Sequence, residues 1–356
     1  MYTASHSLAV KLGSWGTACL RLLPAETAHN IGIKLLGSPF FKLLPKPNYL
    51  PLNENMSIDV PGIGTLPHPI GLAAGFDKHC LAPAGFASLA LSFLEIGTIT
   101  PRPQSGNPKP RMFRYPEQLA IINRMGFNSH GSEKVRQRME KLDWDHSSVP
   151  LGINVGKNKD TPEEMAIEDF NHGLNKFKGL AKYYVVNISS PNTQGLRDLA
   201  NDEFLKQLGK ENQDIRHKIW FKLDPDMPRE KLQSLIETIC EVGFQGVILS
   251  NTHKVSRPQM GGQSGHPLAM LSNRSLEWAY EVHKGELPMI ASGGILSGHD
   301  ILQKLSRGAS AVQIYSALVY RGPWAVVKLL EELRDEMDSQ GIEFLSEVIG
   351  THYSGS

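Results

Sequence analysis

Cysteine is scarce in this chain. Cys19, Cys80 and Cys240 are the only three in 356 residues, an odd number with no C-x-x-C pair. That pattern excludes a disulfide framework and a cysteine-rich zinc site, and it fits a reducing compartment. A charge excess is also lacking, since 37 Lys and Arg stand against 36 Asp and Glu for a net charge of +1. A protein that tracks nucleic acid shows a basic excess or stripe, so no nucleic-acid partner is expected. No stretch reaches the roughly 18 uninterrupted apolar residues of a membrane-spanning helix. HExxH, GxSxG and any Cys–His cluster are missing, and the 13 histidines (His29, His68, His79, His130 and His253 among them) are scattered, so no metal site is expected. Nor does any internal repeat or low-complexity segment appear.

What the chain does have is 40% hydrophobic residues over a length that one α/β barrel can absorb. From residue 69 onward, short apolar runs alternate with helical patterns. The predicted strands are Pro69–Gly75, Phe93–Thr100, Leu151–Gly156, Tyr183–Ser189, Trp220–Asp224, Gly246–Asn251, Met289–Gly294 and Ala311–Tyr315. Their continuous hydrophobicity suits parallel strands buried on both sides. Helical patterns follow several of them, at Thr161–Leu180, Arg229–Val242, Ser297–Arg307 and Pro323–Asp338. Eight strand–helix units predict an α/β fold of the (β/α)8 TIM-barrel type. The rival, a doubly wound open sheet, has no strand–GxGxxG–helix signature to support it.

Composition shifts near residue 47. Residues 1–45 hold four cations (Lys11, Arg21, Lys34, Lys42) and one acid, Glu26. Apolar residues recur at helical spacing, first at Leu8, Leu12, Trp15 and Cys19, then at Ala28, Ile31 and Leu35, with Pro24 at a helix start. This predicts an N-terminal amphipathic helical extension. Two readings stay open: a helix pair docked on the main body, or a device lying on an anionic membrane surface. A signal peptide is not expected, because Lys11 breaks the apolar run and no small-residue cleavage site follows. The expected division is 1–45 helical extension, 46–340 barrel and 341–356 tail.

A barrel carries its active site at the C-terminal strand ends. Read in order, those ends give Ala73-Ala74-Gly75-Phe76-Asp77-Lys78, Gly97-Thr98, Asn154, Asn187 to Thr193, Lys222, Ser250-Asn251-Thr252, Ser292-Gly293-Gly294 and Tyr315-Ser316. So much polarity above apolar strand bodies is costly to bury without a ligand, so a large, hydrogen-bonding ligand is predicted. The last two ends each lead into a helix, and glycine there lets backbone N–H groups approach an anion. Alone, Gly-Gly is a tight turn. With Tyr315-Ser316 beside it, a phosphate grip is the favoured reading. Asn123, Asn187, Asn192 and Asn251 also fall at this face, where each is a turn residue or part of a recognition set. A carboxamide places donor and acceptor side by side, which matches a ring of alternating C=O and N–H groups.

These segments resemble the dihydroorotate dehydrogenase family, class 2. The matching runs are Gly71 to Lys78, Glu95 to Gln104, Ile122 to Asn128, Gly152 to Thr161, Asn187 to Thr193 and Gly293 to Ile295, covering roughly residues 20–330. The resemblance implies oxidation of (S)-dihydroorotate to orotate in pyrimidine synthesis, with electrons passed to ubiquinone or menaquinone. It implies one FMN per chain, held by Ala73, Ala74, Gly75, Phe76, Asp77, Thr98, Asn154, Asn187, Lys222, Ser250, Gly265, Gly294, Tyr315 and Ser316. Substrate would meet Lys78, Asn123, Arg124, Met125, Gly126, Phe127, Asn187, Asn192, Asn251 and Thr252. Ser190 would be the base that takes the C5 proton while hydride leaves C6, a role that class 1 relatives give to cysteine; Cys80 lies in the wrong segment for it. His29, Arg114 and Tyr315 would line a quinone tunnel, and the 1–45 segment would sit on the cytoplasmic face of the inner membrane if the protein is bacterial. A monomer is expected.

Four departures from the family pattern stand out. His79-Cys80-Leu81-Ala82-Pro83 lacks the usual Gly-Glu after Lys78, and the 193–221 segment is shorter than in some relatives. Asp224 stands where alanine is common, and His253 where threonine is frequent. Asp224 shares a strand face with Lys222, so it is expected to pair with that lysine or with a neighbouring cation. Outside this family, a Schiff-base lyase or aldolase using Lys222 on a phosphorylated substrate is the alternative. A third reading is a protein that binds a phosphorylated ligand without turnover, and within the enzyme reading the near alternative is a class 1-like enzyme with a soluble acceptor.

Overall fold

The computed structural model describes residues 8–39, 41, 54–142, 144, 149–193 and 195–353. Lys42, the predicted 45/46 boundary and the last three residues lie outside them. The eight barrel strands are β1 (Ile70–Leu72), β2 (Leu94–Ile99), β3 (Leu151–Val155), β4 (Tyr183–Asn187), β5 (Ile219–Lys222), β6 (Gly246–Leu249), β7 (Met289–Ser292) and β8 (Ala311–Ile314). Each pairs in parallel with the next, and β8 closes on β1 with Val312 opposite Ile70, giving a closed (β/α)8 barrel. Every residue of these strands is buried. This is why they read as unbroken apolar runs rather than as alternation. Inside, Tyr183 and Trp220 meet edge to face at 6.3 Å, so the interior is packed and not a pore.

The helices are α1 (Leu8–Arg21), α2 (Ala25–Leu36), α3 (Pro83–Ala87), α4 (Ser132–Met139), α5 (Ala166–Phe177), α6 (Asp202–Glu211), α7 (Arg229–Val242), α8 (Ala269–His283), α9 (Gly298–Ser306), α10 (Ser316–Arg321) and α11 (Ala325–Gln340). Pro24 sits at the N-cap of α2, where its missing N–H costs nothing. Ser297 caps α9 in a reciprocal box with Asp300. Residues 341–356 include Leu345 and Val348, both buried against the main core.

Short strands outside the barrel escaped the sequence reading. Ile58–Val60 and Gly64–Leu66 form a hairpin ahead of β1. A four-stranded antiparallel sheet runs in the order His253–Val255, Gly261–Gly265, Ala120–Asn123, Met112–Tyr115. It joins two excursions far apart in sequence, with Gly262 opposite Asn123, and it brings both to the barrel mouth.

The α1–α2 hairpin docks through Val10, Ala28 and Ile33, with Gly13 set against Trp324. Val10 is buried, and a Cβ on Gly13 would come within 2.8 Å of the Trp324 ring, so only glycine permits this approach. The Arg111 guanidinium meets the Glu26 carboxylate at 2.8 Å, and Arg114 donates to the carbonyls of Arg21 and Leu23 at the turn between the helices. The large apolar side faces outward, with Trp15 at 77% exposure and Leu12, Leu22 and Leu35 above half. Docking and amphipathic display therefore coexist on opposite faces of one hairpin.

Candidate active site

A cavity opens at the C-terminal end of the barrel, between the strand ends and the antiparallel sheet. Ala73, Ala74, Gly75, Thr98, Asn187, Lys222, Ser250, Gly265, Gly294, Tyr315 and Ser316 all line it. So do Lys78, Asn123, Met125, Gly126, Phe127, Ser190, Asn192, Asn251 and Thr252. Residues spread over 244 positions of sequence, from Ala73 to Ser316, thus meet at one site. The topology does this, because parallel strands present every C-terminal end on the same rim.

The floor is a buried polar network. Glu95 on β2 is fully buried; one carboxylate oxygen accepts from Asn154 Nδ2 at 2.7 Å and the other from Gln313 Nε2 at 2.5 Å. Asn154 Oδ1 accepts from Thr98 Oγ1 at 2.6 Å, and Asn187 Nδ2 donates to Thr98 Oγ1 at 2.9 Å. Lys222 Nζ lies 3.9 Å from Glu95 Oε1, paired electrostatically but outside hydrogen-bond reach. Its donors therefore remain free to face the cavity. The Tyr183 hydroxyl reaches Gln313 from the barrel interior, so the network runs down from the rim into the packed core.

The β7 and β8 ends make a corner rich in unused donors. The N–H groups of Gly293 and Gly294 donate to no acceptor among the described residues, while the α9 N-terminus is already filled by Asp300. Gly294 has φ +76°, and a Cβ there would lie 2.3 Å from Ala269 Cα, so glycine is obligatory. Ser316 Oγ sits 3.2 Å from Ser264 Oγ across the same corner. Hydroxyls and unpaired N–H groups are the donor set a phosphate requires.

The opposite end is lined by carboxamides. Asn192 Nδ2 donates to the Asn123 carbonyl at 3.2 Å, and Asn251 Nδ2 donates to Ser189 Oγ at 2.9 Å. Asn187 Oδ1 accepts from Ser189 Oγ at 2.8 Å. Ser190 Oγ accepts from the Asn192 N–H at 3.3 Å, which leaves its own proton free to point into the cavity. The Lys78 ammonium forms no ion pair or hydrogen bond among the described residues. Burial, reinforced by the Arg111 charge, pulls its pKa down to about 8. An unpaired cation in a site that also offers ring-matching amides suits a carboxylate-bearing heterocycle.

Several residues singled out in the sequence lie off the cavity wall. Asn154 acts from beneath, through Thr98 and Glu95. The Asp77 carboxylate accepts from the N–H groups of His79, Leu81 and Ala82, so it braces the turn into α3. The Arg124 guanidinium donates to the Pro110 carbonyl and covers the Phe113 ring at 5.2 Å. Phe76 links His29 of α2 to Tyr315 of the rim, with ring centroids 5.2 and 4.8 Å apart. Arg114 ties down the hairpin turn instead of joining that row. Asp224 pairs with Arg197 at 2.8 Å, the neighbouring-cation outcome.

Sequence reasoning missed Glu95, Gln313, Met112, Ser264 and Leu268. The first two point inward from strand bodies, where a polar residue inside an apolar run was the available signal. The others depend on the long-range antiparallel sheet and on the approach of α8.

The family model described as dihydroorotate dehydrogenase matches residues 56–337. The mitochondrial dihydroorotate dehydrogenase (quinone) of Mus musculus is 37% identical over 94% of this chain and 89% of its own. The dihydroorotate dehydrogenase (quinone) of a Pseudomonas paraeruginosa strain is 40% identical over 91% and 95%. Among solved structures, DHODH from Eimeria tenella in complex with ferulenol superimposes with a TM-score of 0.85 at 34% identity, covering 92% of this chain and 95% of that one. These proteins are flavin-dependent oxidoreductases, and the chain belongs to the dihydroorotate dehydrogenase family.

Proposed function

We propose that this protein oxidises (S)-dihydroorotate to orotate in pyrimidine synthesis, with FMN as its flavin and a membrane quinone, ubiquinone or menaquinone, as final electron acceptor. The observation that carries this reading is the convergence, in one cavity, of an unpaired Lys78, four asparagines, Ser190 and a glycine–serine anion corner. Lys78 takes the substrate carboxylate, and Asn123, Asn187, Asn192 and Asn251 take the alternating edge of the pyrimidine ring. Gly265, Gly293, Gly294 and Ser316 hold the FMN phosphate. Lys222, anchored by Glu95, faces the ring system where negative charge develops on reduction. Bound FMN supplies the two-electron acceptor for the hydride from C6. Ser190 removes the C5 proton, and since a serine hydroxyl is a weak base, its own proton must pass onward as it does so.

Electrons leave on the hairpin side, past Tyr315, Phe76 and His29. The outward apolar face of α1 and α2, with Lys11 and Lys34 beside it, rests on an anionic membrane, on the cytoplasmic face if the cell is bacterial.

Anaerobic mixing with dihydroorotate tests the reading. The protein is expected to be yellow, and its flavin absorbance to bleach on mixing. A colourless protein that borohydride traps with substrate would instead assign Lys222 to Schiff-base chemistry. Reoxidation faster by fumarate or NAD than by quinone would assign a soluble acceptor.

A further inference from the structure

Arg197 lies in the segment after Ser190 and had no part in the sequence reading. Its guanidinium is held on all sides. Nε donates to the Ser189 carbonyl at 3.1 Å, and Nη2 donates to the Thr252 carbonyl at 3.2 Å. Nη1 meets Asp226 at 3.0 Å and Asp224 at 2.8 Å. Asp224 accepts the Asp226 N–H at 2.7 Å, and Asp226 accepts the Lys254 N–H at 2.8 Å and pairs with His253 Nδ1. The planar fork thus spans three loops. One bears Ser190 and Asn192, one follows Lys222, and one carries Asn251 and Thr252. Beside it, Leu196 and Ala200 are fully buried, so the loop after Ser190 is pinned at its apolar residues and at this one cation.

We propose that Arg197, oriented by Asp224 and Asp226, is a positioning residue that sets Ser190 against the substrate-binding pair Asn251 and Thr252, acting through the carbonyls of Ser189 and Thr252. The proposal rests on the reading of Ser190 as the base. Its physical content is geometric. A base must sit near its near-attack position, and a displacement of about 1 Å can cost roughly 100-fold in rate. The Ser189 carbonyl belongs to the peptide that leads directly into Ser190, so a fixed acceptor there fixes the base. Asp224 is the part of this clasp that departs from the family pattern, and it gives the guanidinium a second carboxylate.

The charged and titratable groups facing the cluster are Arg197, Asp226, His253 and, further out, Lys231 and Lys254. Burial pushes the Asp224 carboxyl up to about 6, against the pull of Arg197. As pH falls through that value, Asp224 takes up a proton and the guanidinium loses one ionic partner. The clasp therefore loosens on the acid side.

The test uses the full-length holoenzyme with Asp224→Asn, Arg197→Lys and Ser190→Ala side by side. Flavin content, the limiting rate of flavin reduction at saturating dihydroorotate and the rate of reoxidation by quinone are measured across pH. Ser190→Ala is expected to slow reduction by roughly 10²–10⁴-fold, the range for a general base. Asp224→Asn and Arg197→Lys are expected to slow reduction roughly 10- to 100-fold, with flavin content and reoxidation within about twofold of wild type. Asp224→Asn should also flatten the acid limb of the reduction rate near pH 6, which a merely structural role would not move. Asp224→Asn keeps the shape of the side chain and decides the matter if Arg197→Lys folds poorly. An unchanged reduction rate in Asp224→Asn, beside a slowed Ser190→Ala, overturns the clasp alone. An unchanged Ser190→Ala overturns the base assignment and the clasp with it.

Discussion

Lys78 shows how burial sets a working range for a single residue. Its ammonium is buried, carries no partner among the described residues and sits near the Arg111 guanidinium, so the charged form is disfavoured and the pKa falls to about 8. The sign follows directly: the cation is present below pH 8 and lost above it. The value of kcat/KM reports the free enzyme, so it should fall above pH 8 as the carboxylate loses its counter-ion. Lys78→Gln should abolish that alkaline limb and lower kcat/KM at neutral pH by roughly 10- to 100-fold, the worth of a charge-assisted hydrogen bond. An alkaline limb that persists unchanged in the variant would remove Lys78 from substrate binding. At this scale, the sequence exposed the rim residues because each follows an apolar run at a strand end. It could not separate cavity wall from support. Asp77 and Asn154 carry polar atoms that backbone N–H groups and a buried carboxylate consume, and neighbours of that kind are invisible without the third dimension. Arg197 was overlooked for the complementary reason, since its partners lie on two other loops.

Elements were legible in proportion to how locally their stability is decided. Seven of the eight barrel strands fall within the apolar runs, and the eighth, β5, starts one residue ahead of its run at Ile219, since burial on both faces leaves no alternation to blur. Met112–Tyr115 and His253–Val255 are short and half-buried at most positions; only pairing with Ala120–Asn123 and Gly261–Gly265 makes strands of them. The α1–α2 hairpin was visible as amphipathic, yet its orientation was not, because apolar residues lie on both sides: Val10, Ala28 and Ile33 dock, while Leu12, Trp15 and Leu35 face outward. Its outward face is open to test. Deleting 1–45 confounds the question, since it would strip Glu26 from Arg111 and uncover Trp324. Leu12→Ser with Trp15→Ser touches only exposed positions and should leave flavin reduction and melting temperature unchanged. Each lost side chain forfeits up to about 1.5–3 kcal/mol of burial in lipid. Cosedimentation with anionic vesicles should weaken at least tenfold. Undiminished binding by the double variant would place the membrane contact elsewhere.

At the scale of the whole molecule, the proposed reading keeps the two reactants apart. The loops bearing Ser190, Asn192 and Thr252, braced by Arg197, close one flank of the cavity, and the row Tyr315–Phe76–His29 leads from the rim to α2 on the other. Burial and the nearby Lys78 and His79 charges drive the His29 pKa down to about 3, so its imidazole is neutral at physiological pH and adds no charge to the apolar route. Barrel closure makes this separation possible, because a ring of strand ends can be approached from opposite sides while one ligand bridges the centre. Two flanks imply two independent binding equilibria. Orotate should compete with dihydroorotate but not with quinone, and varying both substrates should give parallel double-reciprocal lines. Phe76→Ala, which interrupts the aromatic row without touching the carboxamide end, should slow reoxidation by quinone by about tenfold or more, the cost of losing aromatic packing against the route, while flavin reduction stays within about twofold. Competition between orotate and quinone, or equal slowing of both half-reactions in Phe76→Ala, would show that the reactants share one entrance.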